Sequence, residues 1–199
     1  MVYAFVVHTL GPGPGGSPAL STVLYSRVFC CTALDEKLGP DGLEKARLRR
    51  KEQIWAVARQ TESMCLLRRR ASGRPPSDYV PHPDEPLSLR EDDVGLYGLA
   101  AGDPFPREKS VLWAAVGSVG FSLICDAQDN LTLAESTLRT LAGLLADSLK
   151  LQAHGSNVLL RADRIEMTLD RFLPQGQLLF LSRQAAQALE KELAAAVTL

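Results

Sequence analysis

A chain of 199 residues with 46% hydrophobic, 23% charged and 6% aromatic content has room for one medium globular domain but not for two large ones. Its 22 Lys and Arg stand against 23 Asp and Glu, a formal charge of -1, so no global positive field would hold it on nucleic acid or an anionic bilayer. Any such binding needs a local patch, and no nucleic-acid partner is expected.

Val2 to Leu10 is a short run rich in valine and aromatics that ends in GPGPGGSP, the composition of a strand entering a turn. Ser21 to Thr32 is a second strand-like run, and Pro12, Pro14 and Pro18 exclude a helix between the two, so an antiparallel hairpin opens the chain. From Leu43 to about Leu67 the period changes: Leu43, Ala46, Ile54, Val57, Thr61 and Met64 recur at three to four, with charges between them. This spacing predicts a long amphipathic helix with Ile54, Val57, Thr61 and Met64 buried. Arg68-Arg69-Arg70 suits its C-terminal end, and Gly73 with Pro75-Pro76 stops it. A proline-rich insertion at about 72–93 reads as a long exposed loop.

Val94 to Ala101 is a weaker strand, softened by Gly95 and Gly98. In Ser110 to Asp126, SVLWAAV and GFSLICD flank a tight turn at Gly117-Ser118-Val119-Gly120, and strands this apolar are expected to be covered on both faces. Asp129-Asn130 opens a helix with Ala134, Leu138, Leu141, Leu145 and Leu149 on one face. A further helix runs through Val158, Ala162, Ile165, Leu169 and Phe172 to Pro174 and Gly176. Ser182 caps a last one that buries Ala186, Leu189 and Leu193. The order is β-β-α-β-β-β-α-α-α, an α/β (α+β) chain without internal repeats.

The chemistry-bearing motifs are few. Gly11-x-Gly13-x-x-Gly16 matches the letters of a dinucleotide fingerprint, but it opens onto Ser17-Pro18 and a strand, where that motif needs a helix N-terminus to hold a pyrophosphate. No Gly-Lys-Ser/Thr sequence makes a P-loop, and no Gly-x-Ser-x-Gly elbow is present. His8, His82 and His154 have no acid or thiol beside them at a metal-ligand spacing, and Cys30, Cys31, Cys65 and Cys125 fit neither a zinc knuckle nor a redox CxxC. No catalytic residue, cofactor or metal is therefore expected, and the thiols read as reduced and cytosolic. The opening MVYAFVVHTLGPG has no basic n-region and too short an apolar run for a signal or a span, which predicts a cytosolic protein and an unused sequon at Asn130-Leu131-Thr132. The strongest charge asymmetry is Lys45, Arg47, Arg49, Arg50 and Lys51, then Arg59 and Arg68 to Arg70, a strip suited to an acidic partner or an anionic membrane, or simply a solvated helix face.

This order of elements resembles the longin-like small subunits of adaptor complexes. SVLWAAVGSVGFSLICDAQDNLTLAESTL is similar to their two strands, Asp/Asn-rich turn and leucine-bearing helix with a glutamate, here Glu135. Leu169-Asp170-Arg171-Phe172-Leu173-Pro174-Gln175-Gly176 resembles their Leu-Asp-x-Phe-x-x-x-Gly close. MVYAFVVHTL, RKEQIWAVARQTESMC, ASGRPP and LLRADRIEMTLDRFLPQGQLLFL resemble, more closely, the sigma subunits of the fifth adaptor-protein complex, over nearly the whole chain.

The resemblance implies one longin-like domain over 1–199: a five-stranded antiparallel sheet with one long helix on one face and the C-terminal helices on the other. It implies a non-catalytic small subunit of a heterotetramer with large (zeta and beta) and medium (mu) subunits. That complex sorts cargo at late endosomes and lysosomes, with spatacsin and spastizin and without clathrin, peripheral to the membrane. It also points to Val119 and Leu141 as candidates for an apolar dileucine-signal pocket, against ordinary core packing. A helix in this position would bury one face on the sheet and turn Arg49, Arg50 and Arg59 outward or toward a subunit or lipid. The alternative is a longin-type subunit of a tethering or GTPase-regulating complex. A SNARE longin module would need a following heptad segment, which the chain, ending at Leu199, lacks.

Overall fold

Alternation along two neighbouring strands decides the architecture. In the computed structural model, which describes residues 1–10, 21–29, 39–73, 89, 93–149 and 156–196, strands β4 (Lys109–Val116) and β5 (Val119–Asp126) are buried along almost their whole length. Successive side chains of a strand point to opposite faces, so a strand without a polar face needs cover on both. The GPGPGGSP turn, Cys30, Cys31, His82, His154 and most of the proline-rich insertion lie outside the described residues.

The sheet has five antiparallel strands in the order β2-β1-β5-β4-β3, where β1 is Ala4–Thr9, β2 Val23–Val28 and β3 Val94–Leu99. β3, β4 and β5 form a meander, and β1 lies beside β5 with Val6 opposite Ser122. The β4–β5 turn is two residues, with Val116 paired to Val119; Gly117 has φ 58 and Ser118 no positive φ, the pattern of a II′ turn with glycine first. The expected four-residue turn is thus tighter, and Val119 already belongs to β5.

Helix α1 (Pro40–Ala71) crosses one face. It buries Ile54, Val57, Ala58, Thr61 and Cys65 against Ala4, Val6, Val111, Trp113, Ala115 and Ile124. Met64 is only half-buried, and the stripe takes in Gln53, whose amide donates to the Pro104 carbonyl at 2.9 Å and whose Oε1 accepts from the Tyr3 hydroxyl. The helix outruns its expected bounds at both ends. Pro40 occupies a position where no amide donor is needed, Asp41 lies in the first turn, and Ser72 with Gly73 at φ 69 ends it.

The opposite face is covered by α2 (Leu131–Leu149), α3 (Ser156–Leu160), α4 (Ala162–Phe172) and α5 (Arg183–Ala196). Asn130 caps α2, its Oδ1 accepting from the Leu133 amide at 3.0 Å, and Ala134, Leu138, Leu141, Leu145 and Leu149 are all buried, as their spacing predicts. The single helix expected from Val158 to Phe172 is broken at Arg161, whose φ of -132 and ψ of 40 leave the helical region, giving a one-turn α3 and a separate α4. Ser182 caps α5, accepting from the Ala185 amide at 3.2 Å; Leu193 is buried there, while Ala186 and Leu189 are half-buried.

The Leu-Asp-x-Phe-x-x-x-Gly run fastens this layer to the β1–β2 hairpin. Leu169 and Phe172 enter the core, and the Asp170 carboxylate pairs with Arg27 of β2 at 2.7 Å. Gly176 has φ 76 and its carbonyl accepts from the Val2 amide at 2.9 Å; a Cβ there would lie 2.7 Å from Phe29 and 2.8 Å from the Val2 carbonyl. The closing glycine is thus demanded twice, by backbone conformation and by close approach.

Candidate functional site

Among the described residues no group of three or more His, Cys, Asp or Glu is placed to hold a metal ion, and no helix is long and apolar enough to cross a membrane. Of the titratable groups with displaced pKa values, His8, Tyr97 and Cys125 belong to the core. His8 is buried in β1: its Nδ1 lies 3.1 Å from the Thr9 carbonyl and 3.3 Å from Ser21 Oγ, and its Nε2 3.3 Å from Ser122 Oγ. The carbonyl can only accept, which fixes the proton on Nδ1 and leaves Nε2 to accept from Ser122. Ser122 Oγ also lies 3.1 Å from Thr61 Oγ1 of α1, which is 3.0 Å from the Tyr97 hydroxyl; Tyr97 donates to the Val57 carbonyl at 3.2 Å, and the single Thr61 proton serves one of its two hydroxyl neighbours. Burial holds His8 down to about 4, against the opposing pull of the Thr9 carbonyl, and burial raises Tyr97. The network pins α1 to the sheet. The Cys125 thiol is pushed up to about 12, mainly by burial, so it is inert.

The surfaces left open are apolar and basic. None of the described side chains from Asp41 to Glu52 is buried. This stretch carries Leu43 and Leu48, 45% and 55% exposed, and Trp55 follows two turns after Leu48 on the same outer side. Arg49 and Arg59 point to solvent, while Arg50 is half-buried. Arg69 is engaged, pairing with Asp93 at 3.3 Å and donating to the Gly117 carbonyl at 3.4 Å, which ties the end of α1 to the β4–β5 turn.

A second open surface is a groove of about 320 Å³ between the first half of α2 and the segment before α5, lined by Thr132, Ser136, Thr140, Leu179, Phe180 and Ala186. Phe180 is 91% exposed at its rim. Val119 and Leu141 both lie inside the molecule, in the core cluster under α2, 1% and 0% exposed. The sequence reading missed Gln53, Trp55 and Phe180. The first two break the apolar or polar alternation of α1, which was the available signal; nothing local marks Phe180.

An antiparallel sheet of five strands with one long helix on one face and a helical layer on the other is the longin-like arrangement. The chain belongs to the AP-5 complex subunit sigma-1 family, whose model matches residues 1–194. It is 52% identical over 197 residues to human AP-5 complex subunit sigma-1, covering 98% of both chains. It is 47% identical over 152 residues to the mouse protein of that name, covering 76% of this chain and 89% of the relative. Adaptor small subunits of this kind are a family without catalytic activity.

Proposed function

We propose that this chain is the non-catalytic small subunit of an AP-5 adaptor complex, assembled with large zeta and beta and medium mu subunits, and that it serves vesicle-mediated cargo sorting. The complex would act with spatacsin and spastizin at late endosomes and lysosomes, the chain remaining cytoplasmic and reaching the membrane only through its partners. The observation that carries this reading is a match over 98% of both chains to a protein named as a subunit of that complex. The exposed Leu48, Trp55 and Phe180 support it, since apolar surface of this kind suits a permanent neighbour. Purification of the endogenous protein should yield the two large subunits and the medium subunit in equal amounts; a monodisperse monomer, or a different set of stoichiometric partners, would overturn it.

Within that assembly, Arg49 and Arg59, with Arg50 beside them, contact acids of a large subunit in preference to lipid, because charge complementarity fixes register along an exposed basic helix face. Val119 and Leu141 form the apolar floor of a dileucine-signal site only if the hairpin end opens from α2 in the complex. Peptide binding that survives both Val119→Asp and Leu141→Ser with assembly intact would remove that role.

A further inference from the structure

β3 is an edge strand: among the described residues its ladder runs to β4 alone. Sheet edges are usually protected from pairing by charges, proline or bulges, yet β3 reads VGLYGL, with no charge and no proline. The other edge strand, β2, carries Arg27. Beside β3, at the C-terminal end of α1, lies a notch of about 260 Å³ lined by Met64, Leu67, Arg68, Ala71, Gly95 and Trp113.

The floor of the notch holds an unmet requirement. Trp113 is 2% exposed, and its Nε1 is a buried donor with no partner among the described residues. Such a group is destabilising unless something accepts from it. The indole reaches across from β4 over Gly95: a Cβ on Gly95 would lie 2.6 Å from Cε2 and 2.7 Å from Nε1. The N–H therefore sits on the β3 side, and the residue opposite Gly95 on an added strand would place its side chain on the same face, next to it. Arg68 is the one charged residue lining the notch; it is exposed and makes no ion pair among the described residues, and Arg70 is exposed nearby. Apolar surface flanks both sides of the edge, Leu67 at 58% exposure on the α1 side and Leu96 at 50% on the other.

We propose that β3 and this notch take up an extended acidic segment of a partner protein as a sixth strand. The backbone of that segment completes the β3 ladder, and a carboxylate meets Arg68. The acidic character follows from the charge of the lining, which includes a guanidinium and no carboxylate.

The test is photo-crosslinking from Leu96→p-benzoylphenylalanine in the complex assembled in cells, with the crosslinked peptide mapped by mass spectrometry. The expected product is an acidic segment of another protein, its yield falling roughly tenfold in Arg68→Glu and recovering when the mapped acid is replaced by lysine. Crosslinks only to the chain itself or to a second copy, a neutral or basic segment, no product, or a yield indifferent to Arg68→Glu would each overturn the proposal. It is independent of AP-5 membership: a different partner set would leave the acidic sixth strand standing.

Discussion

His8 shows what one buried imidazole costs. It has a carbonyl and two hydroxyls around its nitrogens and no carboxylate, so the core accepts it only when neutral, and burial holds it near 4 against an ordinary value of 6.5. At neutral pH both folded and unfolded chains carry it uncharged and nothing is lost. Below 6.5 the unfolded chain takes up a proton that the folded chain refuses, so stability falls from there to about 4, by about 2 kcal/mol at pH 5. Urea unfolding of a solubility-tagged chain at pH 7 and pH 5 should show that loss, and His8→Gln, whatever it does to the total, should flatten it. Leu141→Ala should cost about 2–5 kcal/mol in the same assay, because the side chain is fully buried between α2 and the sheet. The sequence places no acid or thiol at a metal-ligand spacing beside His8 and reads it as incidental. Its role as a core polar group depends on Ser122 and Thr61, which are far away in sequence and are brought to it by strand pairing and helix docking.

At the scale of elements, periodicity located α1 and α2 well where a helix lies against the sheet. The α2 stripe is complete, and Ile54, Val57 and Thr61 are buried as their spacing requires. Periodicity misled at the start of the helix: Leu43 continues the apolar stripe but is 45% exposed. The break at Arg161 was likewise illegible, since Val158 through Phe172 keeps one apolar period while the backbone leaves the helix. The surface strip gives a clean dissection. Arg49→Glu with Arg59→Glu should change the unfolding free energy by no more than about 0.5 kcal/mol, because both side chains are exposed, yet should reduce co-precipitation of a large subunit. Ile54→Asp should instead abolish folding by placing a carboxylate in the core. If the double charge reversal leaves assembly intact but weakens liposome binding of the complex, the strip belongs to the membrane.

For the whole molecule, the legible part was the layering. Two neighbouring strands without a polar face demand cover on both sides, and helices on either side of them in sequence supply it. The order of strands was not legible from pattern, because β1 could have met β3 or β5 without altering any apolar alternation. The interaction surfaces were the least legible, since Phe180 and Leu160, 91% and 79% exposed, read in sequence like core residues. Expressed alone, the chain should aggregate, and co-expression with its large subunit should keep it in solution, as size-exclusion chromatography of the two preparations would report.

The first third of α1 carries a thermodynamic consequence. A helix of 32 residues extends about 48 Å, and none of its described side chains from Asp41 to Glu52 is buried. A segment of that length is marginal as an isolated helix, so it is held by the docked portion acting as a nucleus from which it winds and unwinds. Amide hydrogen exchange should therefore form a gradient along α1, fast near Asp41 and slow from Gln53 to Cys65. Engagement by a neighbouring subunit would erase that gradient from the N-terminal end. The loss of fast exchange there would thus time assembly at the level of single amides.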